Sequence, residues 1–271
     1  KLYGQHVGYM FVTTTTQVWK RLFDEGKLNE AQSHFWKTKP PEELYDLQED
    51  PDEVNNLANS KKHSEILANM REAHHKHVTQ IRDVGFLPEG EIHSRAKGST
   101  PYEMGQDEKK YPFEKIRAAA DMASSMRKDD LSKIKKLLED QDSAVRYWGA
   151  LGLLMQEKAG VKHGKDALSK ALQDSSPYVR VIAAEALGKY GSKKDLKSAV
   201  KVLGETADPV KNGCFPSMLA MNAIDHLDDK AKSLLSQIQS MPRTPTEVDK
   251  RFQGYVGRLV ETTVKELKGE K

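Results

Sequence analysis

Three of the nine histidines in this 271-residue chain fall within four positions, at His74, His75 and His77. Imidazole is a common metal ligand and acid–base group, so the cluster is a candidate metal site. Successive residues of a helix point about 100° apart, so only His74 and His77 can share one face. A zinc site needs three or four converging ligands, and no third ligand is spaced to join this pair. The pattern therefore favours a solvated helix.

Cysteine and paired aspartates are the other residues whose types could do chemistry. The single cysteine stands in Cys214-Phe-Pro-Ser-Met218, and the aspartate pairs are Asp129-Asp130 and Asp228-Asp229. One cysteine excludes an internal disulfide framework. Both aspartate pairs precede predicted helices, where carboxylates stabilise the positive helix end. No glycine-rich phosphate loop, zinc-ligand spacing or Gly-x-Ser-x-Gly motif occurs in the sequence.

Composition limits the elements that could position these residues. The chain is 37% apolar and 31% charged, with a formal net charge of +3. No apolar run approaches the roughly 20 residues that span a bilayer. Basic and acidic residues alternate along the chain, which predicts no nucleic-acid partner. The totals indicate a charged, mostly helical protein.

Residues 40–58 predict a short strand, a turn and a helix start. Pro40 and Pro41 cannot continue a helix. Leu44, Tyr45 and Leu47 have strand-forming character, with Leu44 on the opposite face. Asp50-Pro51-Asp52-Glu53 then favours a turn or the positive end of a helix.

The same stretch contains several short sequence motifs that resemble those of a known family. Glu43-Leu-Tyr-Asp-Leu47, Asp50-Pro-Asp-Glu53 and Asn56-Leu-Ala58 resemble the closing motif of bacterial sulfatases, the family of arylsulfatases and N-sulfoglucosamine sulfohydrolases. Upstream, the resemblance includes Trp19, Gly26-Lys-Leu28 and Phe35-Trp-Lys37, so it covers residues 1–85. It implies a parent enzyme that hydrolyses sulfate esters or sulfamates of glycans. It also implies a substrate-binding role for His6, which lies in a part of the chain that family members place near the substrate pocket; the alternative is a partly buried or surface histidine without such a role.

The family resemblance implies a catalytic apparatus that this sequence does not supply. In sulfatases the first residue of Cys-x-Pro-Ser-Arg, a cysteine or a serine in its place, is oxidised to formylglycine, which acts beside a divalent cation such as calcium. Cys214-Phe-Pro-Ser-Met218 has methionine in place of the arginine and lies inside a repeat. The sequence therefore predicts no catalytic residue, no metal site and no cofactor in this part of the chain.

Between the sulfatase-like stretch and the repeats, the pattern predicts one long helix and a linker. A helix from Ser60 or Ser64 to Val84 would pack through one apolar stripe, formed by Ile66, Met70, Ala73, His77, Ile81 and Val84. Residues 87–112 contain three prolines and three glycines in a polar stretch, which predicts a linker along a surface.

Beyond residue 112 the sequence repeats itself. Leu138–Arg146 matches Leu172–Arg180 at a constant offset of 34 residues, and a third copy opens at Asp208. Three inserted residues lengthen that copy. A period in this range predicts a solenoid, and Asp…Val-Arg before an alanine-rich helix resembles short HEAT repeats. In such repeats we expect Arg146 and Arg180 to reach the turn carboxylates of Asp140, Asp174 or Asp208.

These observations predict a mainly α chain in three parts. Residues 1–86 would form a small α+β sulfatase C-terminal subdomain, 87–112 a linker and 113–271 an α-α solenoid of HEAT-like repeats. The function predicted is the non-catalytic C-terminal portion of a sulfatase-like hydrolase, partnered by an N-terminal catalytic domain and secreted or periplasmic. The alternative is an independent HEAT-like scaffold that binds a protein or glycan. The residues upstream of Lys1 would distinguish the two.

Overall fold

The computed structural model describes residues 8–269 and divides into two compact units, Lys1–Val78 and Thr79–Lys271. His6 lies outside the described residues. The predicted boundaries were 86 and 112, but the second unit begins at Thr79. Residues 87–112 belong to that unit and contain two helices rather than a linker alone. Among the described residues no helix is long and apolar enough to cross a membrane.

The first unit is built around a buried tryptophan. Its helices are α1 (Thr14–Asp24), α2 (Glu30–Ser33) and the start of α3 (Ser64–Ile81), with 3-10 turns at Gly8–Val12, His34–Trp36 and Lys61–His63. Trp36 is 6% exposed. The rings of Trp19 and Phe35 pack against it with centroids 5.2 and 4.9 Å away. Such ring pairs stabilise a core by more than their buried area alone.

The predicted strand at Leu44–Leu47 is wrong, and with it the α+β character of this unit. No strand forms in residues 8–269. Asn56 replaces a partner strand: its side chain accepts from Leu44 N at 3.0 Å and donates to Glu42 O at 2.9 Å. Asp50 is 8% exposed, and its carboxylate accepts from Asn55 N at 2.7 Å. The sulfatase-like segment at residues 40–58 therefore folds as a loop held by the side chains of Asp50 and Asn56.

Helix α3 buries a different face from the one predicted. Ile66, Met70 and Ile81 of the predicted stripe are 51%, 56% and 48% exposed. Leu67 and Val78 are buried instead, at 8% and 5% exposure. These two residues are eleven positions apart, about three helical turns, so they share one face. The predicted apolar stripe thus lies on the accessible side of α3.

The second unit is a two-layered helical array preceded by two short helices. Its helices are α4 (Glu89–Arg95), α5 (Pro101–Gln106), α6 (Phe113–Ser124), α7 (Leu131–Leu137), α8 (Ser143–Met155), α9 (Glu157–Ala171), α10 (Pro177–Tyr190), α11 (Lys193–Thr206), α12 (Pro209–Asn212), α13 (Cys214–Asp225), α14 (Leu235–Gln239) and α15 (Lys250–Lys268). Turns of 3-10 helix lie at Val84–Phe86, Lys128–Asp130 and Asp228–Leu234.

Contacts between these helices define the layers. The first layer stacks α6, α8, α10, α13 and α15, and the second contains α7, α9 and α11 followed by residues 228–239. Side chains between the layers form one continuous apolar core, with Leu153, Leu187 and Leu203 at or below 1% exposure. Nearest-neighbour stacking of this kind is how repeat proteins obtain a core.

The three inserted residues split the first helix of the third repeat. Helix α12 is a single turn, and α13 starts at Cys214. Gly213 between them has φ +75°, a left-handed conformation that L side chains rarely adopt. The insertion therefore breaks the helix at the residue that tolerates the break.

Candidate interaction site on the helical repeats

The turns before α8, α10 and α12 are each closed by an aspartate, and the three aspartates are spaced 34 residues apart. The carboxylates of Asp140, Asp174 and Asp208 accept from backbone N–H groups two residues further on, at 2.8, 2.8 and 3.0 Å. Aspartate favours such turns because its short side chain reaches the following backbone. The 34-residue offset in the sequence is therefore a structural equivalence for Asp140 and Asp174, which lie two residues before a helix N-cap, whereas Asp208 is itself the N-cap of α12.

Equivalent arginines in these turns differ in what they contact. Arg146 donates to both oxygens of Asp174, in the next repeat, at 2.7 and 2.8 Å. It also donates to the carbonyl oxygens of Asp140 and Gln141. Arg180 donates to the carbonyl oxygens of Asp174 and Ser175, at 2.7 and 3.2 Å. Asp208 is paired with Lys211 at 3.2 Å instead. Arg146 thus joins two repeats, whereas Arg180 stays within its own turn.

The ion pair between Arg146 and Asp174 is shielded from water. The two side chains are 13% and 11% exposed. Burial opposes the charge of Asp174, yet the hydrogen bonds from Arg146 and from Ser176 N hold the pKa of that carboxyl below its usual value. Bidentate arginine–carboxylate pairs are the stronger class of ion pair.

Helix α4 covers the N-terminal ends of the first-layer helices. Glu91 is 5% exposed, and its carboxylate accepts from the hydroxyls of Ser143 at 2.8 Å and Ser176 at 3.3 Å. These serines begin α8 and precede α10. A carboxylate at two helix N-termini is favoured by both macrodipoles.

Arg95, one turn after Glu91, ties the same helix to the array. It donates to both oxygens of Asp142 at 2.9 Å and to Glu91 at 2.6 Å. Burial opposes the charge of Asp142, but the hydrogen bonds from Arg95 keep the pKa of this carboxyl lowered. The network buries three charged side chains with their hydrogen bonds satisfied, which is the condition under which such burial is tolerated.

Aromatic and backbone contacts extend this attachment. His93 stacks on Phe215 with centroids 4.7 Å apart, and Phe215 packs on Phe252 at 5.1 Å. Trp148 Nε1 donates to Phe86 O at 2.8 Å. The edge of the array where the first-layer helices begin is therefore occupied by residues 86–95 of the same chain. Sequence reasoning missed this attachment, although Thr100-Pro-Tyr-Glu103 is a capping-box signal for α5, which the structure contains.

The residues considered for catalysis are not brought together. Cys214 is 7% exposed, its thiol donates to Met218 Sδ at 3.3 Å, and burial raises its pKa. A buried thiol with a raised pKa is a poor nucleophile. Asp130 is paired with Arg127 and Lys133. Within residues 8–269 no three His, Cys, Asp or Glu side chains are grouped to hold a metal ion.

A histidine on the array gives a pH-dependent contribution to stability. His226 Nδ1 lies 2.8 Å from Glu185 Oε1, and the Glu185 side chain is 10% exposed. The hydrogen bond to Glu185 outweighs desolvation and raises the pKa of His226 above 6.5. A histidine whose pKa is raised by folding adds stability below about pH 6.5, which is lost as pH rises through the folded pKa.

We therefore expect the free energy of unfolding to contain a part that declines above pH 6.5. It should be below about 1 kcal/mol, since the His226 side chain is 53% exposed. Urea unfolding between pH 5.5 and 8.5 measures it, and His226→Gln should flatten the decline. Identical pH profiles for the two proteins would contradict the assignment.

Comparison with known proteins gives one family match and one partial relative. Residues 131–214 match the family model of HEAT repeats. A stretch of 79 residues is 42% identical to an ulvan-active sulfatase of Formosa agariphila. The match covers 29% of this chain but 13% of that protein, so the chain spans a small part of its length. No solved structure matches the chain. The protein is therefore mainly helical, with HEAT repeats at 131–214 and a stretch similar to a sulfatase.

Proposed function

We propose that this chain is the non-catalytic C-terminal portion of a sulfatase-like hydrolase, with the helical repeats as its packing and interaction module. The observation that carries the proposal is the 42% identity over 79 residues to a sulfatase. The sequence of residues 40–58 agrees with it, because several separated short motifs occur in the order found in sulfatases. HEAT repeats supply the scaffold character of the second unit.

An exposed apolar stripe on α3 supports a missing partner domain. Ile66 and Met70 are more than half exposed, and both Ala73 and His77 on the same stripe are exposed. These residues repeat at helical spacing, as in a helix that packs on another element. We assign this face to contact with the sulfatase catalytic domain of the parent.

The proposal divides the chemistry between the two parts of the parent. The catalytic domain would supply formylglycine and a divalent cation such as calcium, and hydrolyse sulfate esters or sulfamates of glycans. His6 would approach the substrate from this chain. The relative that carries the match acts on ulvan by its name, which supports a glycan substrate and a secreted or periplasmic location.

An independent HEAT-like scaffold is the second candidate function. The match of residues 131–214 to HEAT repeats favours it, since helical repeats commonly offer binding surfaces. Under this alternative the sulfatase-like motifs reflect only common ancestry with sulfatases.

Reading the coding DNA upstream of the Lys1 codon distinguishes the two functions. The proposal expects an open reading frame that encodes Cys-x-Pro-Ser-Arg, or its serine form, and the acidic cation ligands. A frame that lacks both would reject the sulfatase portion and leave the scaffold.

The purified chain should not hydrolyse sulfate esters. Stabilising charge at sulfur requires a nucleophile, a cation and converging positive groups in one pocket. Cys214→Ala should leave the background rate unchanged and cost about 1 kcal/mol of stability at most, as a small buried side chain is shortened. An aryl sulfate assay and intact mass spectrometry check this. Formylglycine at 214, or turnover lost in Cys214→Ala, would show that the array itself is catalytic.

A further inference from the structure

The second layer of the array concentrates positive charge. Helices α7, α9 and α11 together contain eleven lysines and four carboxylates, an excess of seven positive charges against +3 for the whole chain. Charges that alternate along the sequence are thus segregated by folding, since these helices turn their polar faces to solvent. This surface is the opposite layer from the one whose ends α4 covers.

Most of these lysines are free to meet a ligand. Within the described residues, three of the eleven make an ion pair: Lys133 with Asp130, Lys165 with Asp195 and Lys201 with Glu205. The other eight make none. Lys135 is half-buried, and the remaining seven are exposed: Lys136, Lys158, Lys162, Lys170, Lys193, Lys194 and Lys197. Unpaired ammonium groups crowded on one surface attract polyanions.

A groove runs between α9 and α11 in the middle of this surface. Its volume is about 520 Å³, within the range of ligand sites. Lys165, Lys194 and Lys201 line it together with polar Ser169, Gln173 and Ser198. Apolar Leu172, Leu187 and Val202 lie among the lining residues. The groove thus combines cations, hydrogen-bond donors and an apolar surface.

The acidic residue in the groove is already engaged. Asp195 accepts from Ser192 N at 2.8 Å and from Ser192 Oγ at 2.7 Å, as the capping box of α11. Its side chain is 11% exposed. Its charge is therefore directed at the helix start and at Lys165.

Lysine spacing along the two helices suits an extended polyanion. Lys158, Lys162 and Lys165 follow each other by four and three residues on α9, as do Lys194, Lys197 and Lys201 by three and four on α11. At 1.5 Å per residue, neighbouring charges lie about 4.5 to 6 Å apart along each axis. Of these six lysines, Lys165, Lys194 and Lys201 line the groove, and the other three continue the two rows beyond it.

We propose that the groove between α9 and α11 binds the sulfated polysaccharide on which the parent enzyme acts. The choice of a sulfated glycan rests on the proposed function. It is favoured over single-stranded nucleic acid because α7, α9 and α11 contain no arginine, phenylalanine, tyrosine or tryptophan. Single strands are bound largely by stacking on aromatic rings and arginine. Lysine, serine and glutamine instead suit sulfate and hydroxyl groups.

Titration of the chain with fluorescent dextran sulfate tests the proposal, with neutral dextran and single-stranded DNA as comparison ligands. The variant Lys162→Glu/Lys165→Glu/Lys194→Glu/Lys201→Glu should raise the Kd for dextran sulfate at least about tenfold, through four lost attractions and added repulsion. The matched control, Lys61→Glu/Lys62→Glu/Lys97→Glu/Lys109→Glu, changes net charge equally outside these helices. It should change the Kd less than about threefold.

Several results would overturn the proposal: equal losses in both variants, neutral dextran bound as tightly as dextran sulfate, or DNA bound more tightly than dextran sulfate. Circular dichroism checks the fold, and the four lysine→glutamine changes replace the glutamates if that variant unfolds. Binding is measured on this chain alone, so a failure here leaves the sulfatase proposal standing. A parent gene without sulfatase motifs leaves the binding result standing.

Discussion

Gly90→Ala should destabilise the second unit by about 3 kcal/mol, the upper end for an overpacked core. A Cβ at Gly90 would lie 1.7 Å from Tyr178 Oη, 2.6 Å from Tyr178 Cζ and 2.7 Å from Phe215 Cβ. Tyr178 is 8% exposed, so its ring has no free space to enter. The added methyl group must therefore lift α4 away from the array, and Glu91 and Arg95 with it.

Chemical denaturation measures the loss of stability, and amide hydrogen exchange over residues 84–106 locates it. In Gly90→Ala, amide exchange in residues 84–106 should become much faster, whereas exchange in α10 should change less. The matched control is Gly254→Ala in α15, where the nearest atom to a Cβ is Arg258 Nη1 at 3.6 Å. That change should be neutral or stabilising by up to about 1 kcal/mol, because alanine favours helix. If Gly90→Ala behaves like Gly254→Ala, α4 is not docked as described.

This docked segment is the part of the second unit that sequence reasoning missed. Its prolines and glycines predict a linker, and its helices are only seven and six residues long. Helices this short are unstable by themselves, so they exist because Glu91 and Arg95 meet partners about 50 or more positions away in Asp142, Ser143 and Ser176. No local pattern reports contacts at such separation.

The repeats were predictable for the opposite reason. Each repeat carries its own turn, in which an aspartate accepts from the backbone two residues later, and the same geometry recurs at the same offset. A local sequence motif therefore predicts a local structure. The arginines show the limit of this inference: Arg146 and Arg180 share a sequence position, yet Arg146 alone of the two bonds to a turn carboxylate.

In the first unit the sequence-based predictions were wrong for a third reason. Leu44 and Tyr45 favour a strand, but a strand needs a partner. Here the Asn56 side chain bonds to Leu44 N and Glu42 O, and Leu57 N donates to Leu44 O. On α3, Leu67 and Val78 are buried and the longer apolar stripe is exposed, because the elements that pack against a helix decide which face is buried. Composition describes a preference, and neighbouring elements decide whether it is met.

Asp174→Ala should cost about 3–5 kcal/mol of the free energy of unfolding, the range for removing one partner of a buried ion pair. The change leaves the Arg146 guanidinium, 13% exposed, without its carboxylate, and Ser176 N without its acceptor. Arg146→Met removes the same pair but leaves Asp174 its backbone hydrogen bond, so its cost should be smaller. The double variant should cost less than the sum of the two single changes.

The array provides its own control for this cycle. Arg180→Met stands 34 positions from Arg146→Met and removes only bonds to the carbonyl oxygens of Asp174 and Ser175. Its cost should stay within about 1.5 kcal/mol, the usual net contribution of such hydrogen bonds. Urea unfolding monitored by circular dichroism gives all four values. Equal costs for Arg146→Met and Arg180→Met, with additive single changes, would mean that the bond between repeats contributes nothing. A larger cost at Arg146 would locate the stabilising charge pair at the junction of the first two repeats.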